Sequence, residues 1–302
     1  MLMCAQFPCM ISADEFAGTF LTTDSQLQSI DISRSFSATA SGTMAPYKNP
    51  AGLVQVTGRG IHAMINSASL DRSSHNLCAF LNPRGDVGFG FSWLHAQVND
   101  IKGRSSSGQI TGKIKDRANA LAVSFAFKIG KRLKAGLSMK SINHHIFGPY
   151  NSNAEATGHG FDLGFQYSLN QKGSLGMTVQ NINSGLNWKV RRGDKTRNTR
   201  DPIKTRFSLG TGYLLSEEIN FGCDLVIEYD PVVNIGVAWK VNKLLNVAIG
   251  LSNIGAAQKF GTLSNGLSLK PMRNENIVLY YAYVTDSIGA GDRVIIGLES
   301  NF

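Results

Sequence analysis

Apolar and polar residues alternate strictly along the segment FDLGFQYSLN, residues 161–170. This period-two alternation is typical of a β-strand, because successive side chains of a strand point to opposite faces. The odd positions from Phe161 to Leu169 then form an apolar face, and the even positions, which include Asp162 and Gln166, form a polar face. One strand does not tell which face lies inside, because a soluble sandwich buries its apolar face whereas an outer-membrane barrel turns that face toward lipid.

The same alternation recurs along most of the chain and predicts an all-β protein. Together the alternating segments amount to about fourteen strands, an even number, as single-chain outer-membrane barrels have. Ten segments alternate clearly, and they are 87–93, 121–129, 133–141, 161–169, 175–180, 207–213, 219–229, 233–241, 245–252 and 293–302. Four others, 59–66, 76–82, 266–270 and 276–285, alternate more weakly.

The connectors between these strands favour a membrane barrel over a sandwich. Long polar segments at 94–117, 143–160, 183–204 and 253–265 alternate with short turns. Outer-membrane barrels have short periplasmic turns and longer extracellular loops, whereas a sandwich has no reason to sort its connectors in this way. The four long segments are therefore predicted to be surface loops on the outer side.

Aromatic residues near both ends of the strands point to the same architecture. Such residues form girdles at the two membrane interfaces of a barrel, and the core aromatics of a sandwich would explain neither the two sets nor the connector lengths. One set lies near the short turns (Phe127, Tyr167, Tyr213, Trp239 and Phe302) and the other near the long segments (Trp93, Phe161, Phe207 and Tyr229).

The polar face of each strand is then the wall of the barrel lumen. We expect Asp162, Gln166, Asp224, Glu228 and Lys240 to face this lumen. Many of the neighbouring positions on the same faces hold glycine, alanine or serine. A barrel of about fourteen strands is too wide for small side chains to fill, so the lumen is predicted to hold a ligand or a plug.

The N-terminal part of the chain does not alternate and is predicted to be separate from the barrel at 57–302. Residues 1–13 are weakly apolar and end in small residues, which indicates a remnant of an export signal. Residues 14–56 are rich in small residues and turn formers and are predicted to be a plug. Within them, Asn49-Pro50 followed by Ala51-Gly52 is typical of a turn.

Three sequence features together resemble the FadL-like and PorV-like outer-membrane proteins, from about residue 16 to the end. They are NPAGL (49–53) after a stretch that begins GTFL (18–21), then TGHGFDLGFQYSL (157–169), and a final phenylalanine. The resemblance implies a transmembrane, antiparallel, up-and-down β-barrel of fourteen strands with an N-terminal hatch folded into the lumen. It also implies that Asn49, Pro50, Ala51 and Gly52 belong to that hatch and gate the ligand. The glycine-rich stretch usual upstream departs from this pattern, because SFSATASGT (35–43) has one glycine.

The C-terminal strand fits export through a barrel assembly machinery, which recognises a terminal strand with alternating apolar positions and a final aromatic residue. Gly297, Leu298 and Phe302 are the residues predicted to form this assembly signal. A simple edge strand that ends at the terminus is the alternative.

Charge and composition exclude several other functions. The net charge is +9, but the densest basic run, KVRRGDKTRNTR at 189–200, has no interleaved aromatic residues. It is predicted to be a solvated surface loop, with acidic glycans or lipid headgroups as the alternative partners and no nucleic acid. No apolar run reaches the length of about 18 residues that a transmembrane helix needs.

No catalytic or cofactor site emerges from the sequence. The four cysteines, Cys4, Cys9, Cys78 and Cys223, lack metal-site spacing. His144 and His145 are adjacent on an extended segment, so their side chains point apart, and loop histidines are the expectation. The glycine run GDVGFG at 85–90 has no following helix to bind phosphate. Without a nucleophile elbow either, we expect neither an enzyme nor a cofactor.

Two functions remain open at this point. The first is passive uptake of hydrophobic small molecules, such as long-chain fatty acids, across the outer membrane of a diderm bacterium, as the FadL-like resemblance implies. The second is a PorV-like role in protein secretion or surface attachment. An apolar lumen favours the first and an open polar bore the second. The expected partners are hydrophobic small molecules or lipids, outer-membrane lipids and the barrel assembly machinery.

Overall fold

The computed structural model describes residues 17–23, 36–149, 152–255, 261–271, 276–285 and 291–302. The predicted export remnant at 1–13 and parts of the predicted plug lie outside these residues. Two short helices, α1 (Phe20–Thr23) and α2 (Ala45–Lys48), and 3₁₀ turns at Gly42–Met44 and Pro50–Val54 precede the strands. No helix in these ranges is long and apolar enough to cross a membrane. The strands are β1 Gly58–Ala68, β2 Arg72–Asn82, β3 Val87–Arg104, β4 Ile110–Ile129, β5 Leu133–Phe147, β6 Ser152–Ser168, β7 Gly173–Arg192, β8 Lys195–Pro202, β9 Arg206–Leu214, β10 Ile219–Ile227, β11 Pro231–Lys240, β12 Leu245–Ile254, β13 Thr262–Leu269, β14 Ile277–Val284 and β15 Arg293–Asn301.

Fourteen of the fifteen strands form a closed antiparallel barrel. Each pairs with its neighbours along the chain, and β15 closes the sheet against β1, with Gly60 opposite Asn301 and Ala68 opposite Arg293. Strand β8 is the exception, because it pairs with the outer part of β7 while β9 pairs with the inner part. The predicted up-and-down barrel of fourteen strands is confirmed.

The apolar face of each strand lies on the outside of the barrel. On β6, Leu163 is 38% exposed and Phe165 36%, whereas Asp162 is 4% and Gln166 2% exposed. The same alternation of exposed and buried positions runs along β1 and β13. An apolar surface that encircles a protein is not stable in water, so it indicates contact with lipid.

The predicted long loops at 94–117, 143–160 and 183–204 are wrong, because most of these residues continue the strands. Strands β3 to β7 are 15 to 20 residues long, and the connectors that remain at this end are 105–109, 148–151 and 193–194. The two ends of the barrel therefore differ mainly in how far the strands extend, and less in the length of the connectors. We call the extension formed by residues 95–119, 141–159 and 183–202 the wing.

The strands of the wing were not predicted from alternation, because backbone hydrogen bonds hold a hairpin together whether or not one face is apolar. The histidine pair expected in a loop lies on β5 within it, and the two side chains do point to opposite faces. The basic run at 189–200 is likewise a hairpin of β7 and β8 and not a loop, although β8 is exposed along almost all its length. Positive charge on an unpaired strand edge opposes pairing with other chains.

Candidate functional site: a plugged lumen with an apolar chamber

Residues 36–56, here called the plug, lie inside the barrel against a track of lumen-facing glycines. A Cβ atom at Gly136 would come within 3.0 Å of Pro50 and Ala51, and one at Gly164 would overlap Asn49. The same close approach occurs at Gly88, Gly90, Gly176, Gly210, Gly212 and Gly222. The small lumen residues that predicted free space therefore make room for the backbone of the plug.

The predicted hatch residues Asn49, Pro50, Ala51 and Gly52 meet where the plug touches β5 and β6. Asn49 is completely buried, and its Nδ2 donates to the carbonyl oxygens of Ser37 at 2.7 Å and Phe165 at 3.1 Å. Its Oδ1 accepts a hydrogen bond from the Ala51 amide at 3.1 Å. Asn49 is thus the N-cap of the turn Pro50–Val54, with proline at the first position, where its missing N–H costs nothing. Their gating role stays a prediction.

Two of the predicted lumen residues hold the first turn of the plug. The Asp224 carboxylate accepts hydrogen bonds from the Ser37 amide at 3.0 and 3.1 Å and from the Ser37 hydroxyl at 2.7 Å. Gln166 Nε2 donates to the carbonyl oxygens of Ser37 at 3.2 Å and Ala40 at 2.9 Å. Because both side chains are buried, each lost bond would leave a polar group without solvent.

Asp162 belongs to a polar layer between the plug and the outer part of the lumen. Its Oδ1 lies 2.7 Å from Lys140 Nζ and accepts a hydrogen bond from the Asn181 amide at 2.8 Å. Asn181 has a positive φ of 60°, and β7 bulges here relative to β6. The bulge points an amide at the buried carboxylate, which therefore has two partners. A small cavity of about 60 Å³ separates this layer from Tyr47.

The last two predicted lumen residues lie at opposite mouths of the barrel. Glu228 is half-buried just after β10, at the same end as the wing. Lys240 is exposed at the far end of β11 and borders an open cavity of about 220 Å³ together with Lys243 and Lys270. Among the described residues, neither side chain has a contact with the plug. Of the five predicted lumen residues, two therefore bind the plug, one belongs to the polar layer and two lie at the mouths of the barrel.

Beyond the polar layer, toward the wing, the lumen wall becomes apolar. Ile142 is 0% and Leu186 1% exposed, and segment 17–21 packs against them with Phe20 and Leu21. Tyr47 of the plug donates its hydroxyl to the Leu21 carbonyl at 3.1 Å. We call this region the chamber, and its wall consists of Leu94, Ala120, Ile142, Ala156, Leu186, Ile203 and the partly buried Trp188.

A cavity of about 270 Å³, here called the vestibule, lies toward the wing end of the barrel and shares Phe20 with the chamber. Its lining includes the apolar residues Phe20 and Ala118 and the cations Arg72 and Arg293. His144 lies between vestibule and chamber, with its Nε2 2.6 Å from Asp116 Oδ1 and its ring centroid 4.9 Å from that of Trp188. An apolar solute that enters here therefore meets the chamber next.

The predicted assembly residues lie on the strand that closes the barrel. Leu298 points outward and is 48% exposed, and Phe302 is 57% exposed with its amide bonded to the Arg59 carbonyl at 2.9 Å. Gly297 faces the lumen, where a Cβ would lie 2.9 Å from His62 Nε2. Recognition of this strand by an assembly machinery stays a prediction.

Sequence reasoning missed the chamber and the partners of the polar layer. The chamber had a signal, because Leu94, Ile142 and Leu186 break the alternation by placing large apolar residues on the polar face. Lys140 and Asn181 had none, since Lys140 reaches Asp162 across the β5–β6 pair and the Asn181 amide reaches it through a bulge between β6 and β7, and alternation shows neither contact.

Comparison with solved structures gives the same fold. The Pseudomonas putida toluene transporter TodX is similar with a TM-score of 0.66 at 13% identity, over 91% of this chain and 98% of that one. The Ralstonia pickettii toluene transporter TbuX has a TM-score of 0.63 at 14% identity, over 86% and 94%. A Pseudomonas aeruginosa FadL homologue has a TM-score of 0.61 at 10% identity, over 89% and 97%.

No protein-family model and no curated protein sequence matches the chain. The structural likeness therefore concerns the fold. That fold is the one of FadL-like outer-membrane barrels, as the sequence resemblance implied. A closed barrel with an apolar exterior is also consistent with an outer-membrane location.

Proposed function

We propose that this protein lets hydrophobic small molecules pass passively across the outer membrane of a diderm bacterium. The observation that carries the proposal is the chamber, an apolar region of the lumen that lies beside the vestibule at the wing end of the barrel. Burial of apolar area there stabilises an apolar solute by roughly 25 cal/mol per Å². The shared fold with barrels named as toluene transporters supports a transport role and not an enzymatic one.

The plug gives this route a gate. It fills the lumen between the chamber and the mouth lined by Lys240, so a solute in the chamber does not reach that mouth through water. Passage then requires the plug to move, and we propose that Asn49, Pro50, Ala51 and Gly52 take part because they contact β5 and β6. The alternative role in protein secretion or surface attachment calls for an open polar bore, which the filled lumen does not favour.

The solute class includes both neutral monoaromatic compounds and long-chain fatty acids. Monoaromatic hydrocarbons are named for similar barrels, for example CymD, which shares the fold with a TM-score of 0.64 at 11% identity. A fatty acid would place its chain in the chamber, and its carboxylate would accept hydrogen bonds from Arg72 and Arg293 in the vestibule.

The test measures solute binding to the purified protein through Trp188. With Trp93 and Trp239 changed to Phe, Trp188 is the remaining tryptophan, and toluene or palmitate should change its emission in a saturable way. Ile142→Asn places an amide in the chamber and should weaken binding at least ten-fold. Phe147→Asn, on the outward face of the same strand, should leave binding unchanged. Equal binding by both variants would contradict a chamber site.

Orientation is tested separately on intact cells. The wing is proposed to face the outside, so epitope tags inserted at residues 106 or 194 should bind antibody without permeabilisation. Tags at residues 131 or 171, in the short turns of the opposite end, should not. The reverse labelling pattern would contradict the proposed orientation.

A further inference from the structure

The outward face of the wing carries a group of cations directly above the lipid-facing surface. On β4, outward positions are apolar from Ile129 to Leu121, and beyond Asn119 they become Arg117 and then Lys115. With about 3.3 Å per residue and a strand tilt of about 40°, Arg117 lies ~10 Å beyond Leu121 along the membrane normal. That height corresponds to lipid headgroups.

Two further cations, on β7, lie in the same rows of paired residues across the sheet. Arg117 is opposite His145 on β5, which is opposite Glu155 on β6, which is opposite Lys189. The next row joins Lys115 to Arg191 through Phe147 and Asn153. We call Lys115, Arg117, Lys189 and Arg191 the cation cluster, and about three strand spacings, ~14 Å, separate its two columns.

The four side chains of the cation cluster carry more charge than the nearby carboxylates can neutralise, because among the described residues only Glu155, opposite Lys189, and Asp100, which attracts Lys115 electrostatically, lie near them. Across the part of the chain that the structure describes, none of its four side chains makes an ion pair within 4.0 Å. The carboxylates on this face are Glu155 and Asp100, and Asp100 is bound to Lys113 at 2.7 Å. That hydrogen bond holds the pKa of the Asp100 carboxyl below its usual value, so this pair stays ionised.

Edge protection does not account for these four residues. Lysine and arginine on β8 guard an unpaired edge, but β4 and β7 are paired on both sides. The lumen-facing side of the same part of β4 carries Asp116, Ala118 and Ala120 and no cation. On β4 the positive charge is therefore confined to the face that continues the lipid-contacting surface.

We propose that the cation cluster binds the phosphate groups of phosphorylated glycolipid headgroups in the outer leaflet. Arginine and lysine are the side chains that bind phosphate oxygens, arginine through two parallel hydrogen bonds. The inference rests on the proposed outer-membrane location and goes beyond solute uptake, since it concerns the outside of the barrel. It gives the wing a function, which is to anchor the barrel in a charged lipid surface.

The experiment titrates delipidated protein in detergent with bisphosphorylated lipid A and counts bound lipid by native mass spectrometry. The variant changes Lys115, Arg117, Lys189 and Arg191 to Gln. The matched control changes four exposed cations of the short turns, Lys131, Arg132, Lys172 and Lys243, to Gln. Wild type and control should bind equally, and the cluster variant at least ten-fold more weakly. Wild-type binding should also fall as NaCl rises from 0.05 to 0.5 M.

Three results would overturn the proposal. They are equal binding by cluster variant and control, an equal loss in both, and equal binding of dephosphorylated lipid A by the wild type. Native folding is checked by heat-dependent migration in SDS gels. If the variant does not fold, the proposal is tested by acetylation of the wild type. Lipid A should protect Lys115 and Lys189 from acetylation, and inorganic phosphate should not. Solute binding at Trp188 is a separate measurement, so failure of one proposal is distinguishable from failure of the other.

Discussion

The plugged part of the lumen and the chamber are two regions of one wall with opposite chemistry. Strand β5 passes through both, since Gly136 contacts the plug, Lys140 binds Asp162 in the polar layer and Ile142 lines the chamber. Within seven residues the lumen face changes from no side chain to a charged and then an apolar one. The plugged region is specified by backbone fit and hydrogen bonds, and the chamber by apolar contact.

This difference explains why one region can close the lumen in a single defined arrangement and the other can bind a solute. Hydrogen bonds between buried groups are directional, so the plug has one arrangement against its glycines. Apolar contacts are not directional, so Phe20 and Leu21 can be exchanged for another apolar group of similar size at low cost.

Among the changes that test the difference between the plugged region and the chamber, deletion of residues 14–56 should have the largest effect. The barrel wall would remain intact, but the region beside Gly136 and Gly164 would become a water-filled bore. We expect an ion conductance several-fold above that of the full chain in planar bilayers. A barrel that inserts and conducts no better than the full chain would show that these residues do not seal the lumen.

A single substitution in the glycine track should open the seal partially. Gly136→Val places a branched side chain where Pro50 and Ala51 lie, so the plug must shift. Ion conductance should rise above the wild-type level but stay below that of the deletion. Ser141→Val, at an outward position on the same strand, is the matched control and should not change conductance. If both variants conduct equally, the glycines are not required for the seal.

The lipid face and the lumen face of β6 should respond differently to charge. Phe165→Arg should cost roughly 2–4 kcal/mol of unfolding free energy because it exposes a charge to lipid. On alternation alone, arginine at position 166 would be tolerated in a polar lumen. The structure changes that expectation, since Gln166 bonds Ser37 and Ala40, and Gln166→Arg should release the plug and raise conductance. Urea unfolding and bilayer conductance of the two variants distinguish the effects, and raised conductance for Phe165→Arg alone would contradict the assignment of faces.

The anchor of the plug should matter less than the glycine track. Asp224→Ala removes the acceptor for the Ser37 amide and hydroxyl and leaves a buried N–H unbonded, which costs about 1–3 kcal/mol. We expect a lower urea midpoint and brief openings in single-channel records. Asp194→Ala, in the exposed β7–β8 turn, should match wild type in both. A variant of Asp224 with an unchanged midpoint would show that the plug is held elsewhere.

Local alternation was enough to predict the barrel, but only part of its lumen. Strands such as 161–169 have one face in lipid, and this face imposes the period-two pattern that the sequence displays. The outer face of the wing lies beyond the apolar band of the barrel, so alternation weakens after Trp93 and Leu121 and the strands were predicted to end there. Backbone pairing, which continues to Arg104, leaves no such pattern in the side chains.

The lumen residues were predicted because they occupy alternate positions along their strands. The partners that they bind were not predicted. Asp162 and Asp224 both lie on the polar face of a strand, and nothing local distinguishes them. Asp224 binds Ser37, which is 187 residues distant, and Asp162 binds Lys140 across a strand pair. Glycine in a strand likewise indicated space in the lumen, but the chain segment that fills it becomes visible only when the barrel is closed.

The smallest expected effect concerns the chamber, where segment 17–21 occupies the proposed solute site. A solute must displace the side chains of Phe20 and Leu21, whose burial opposes binding. Phe20→Ala with Leu21→Ala reduces the apolar area to be displaced, so the affinity for toluene should rise by up to about ten-fold, which corresponds to 1.4 kcal/mol. Quenching of Trp188 in the Trp93→Phe, Trp239→Phe background measures it, with Val56→Ala as a truncation that does not touch the chamber. A fall in affinity would show instead that Phe20 and Leu21 form part of the site and that the solute binds beside them in the vestibule.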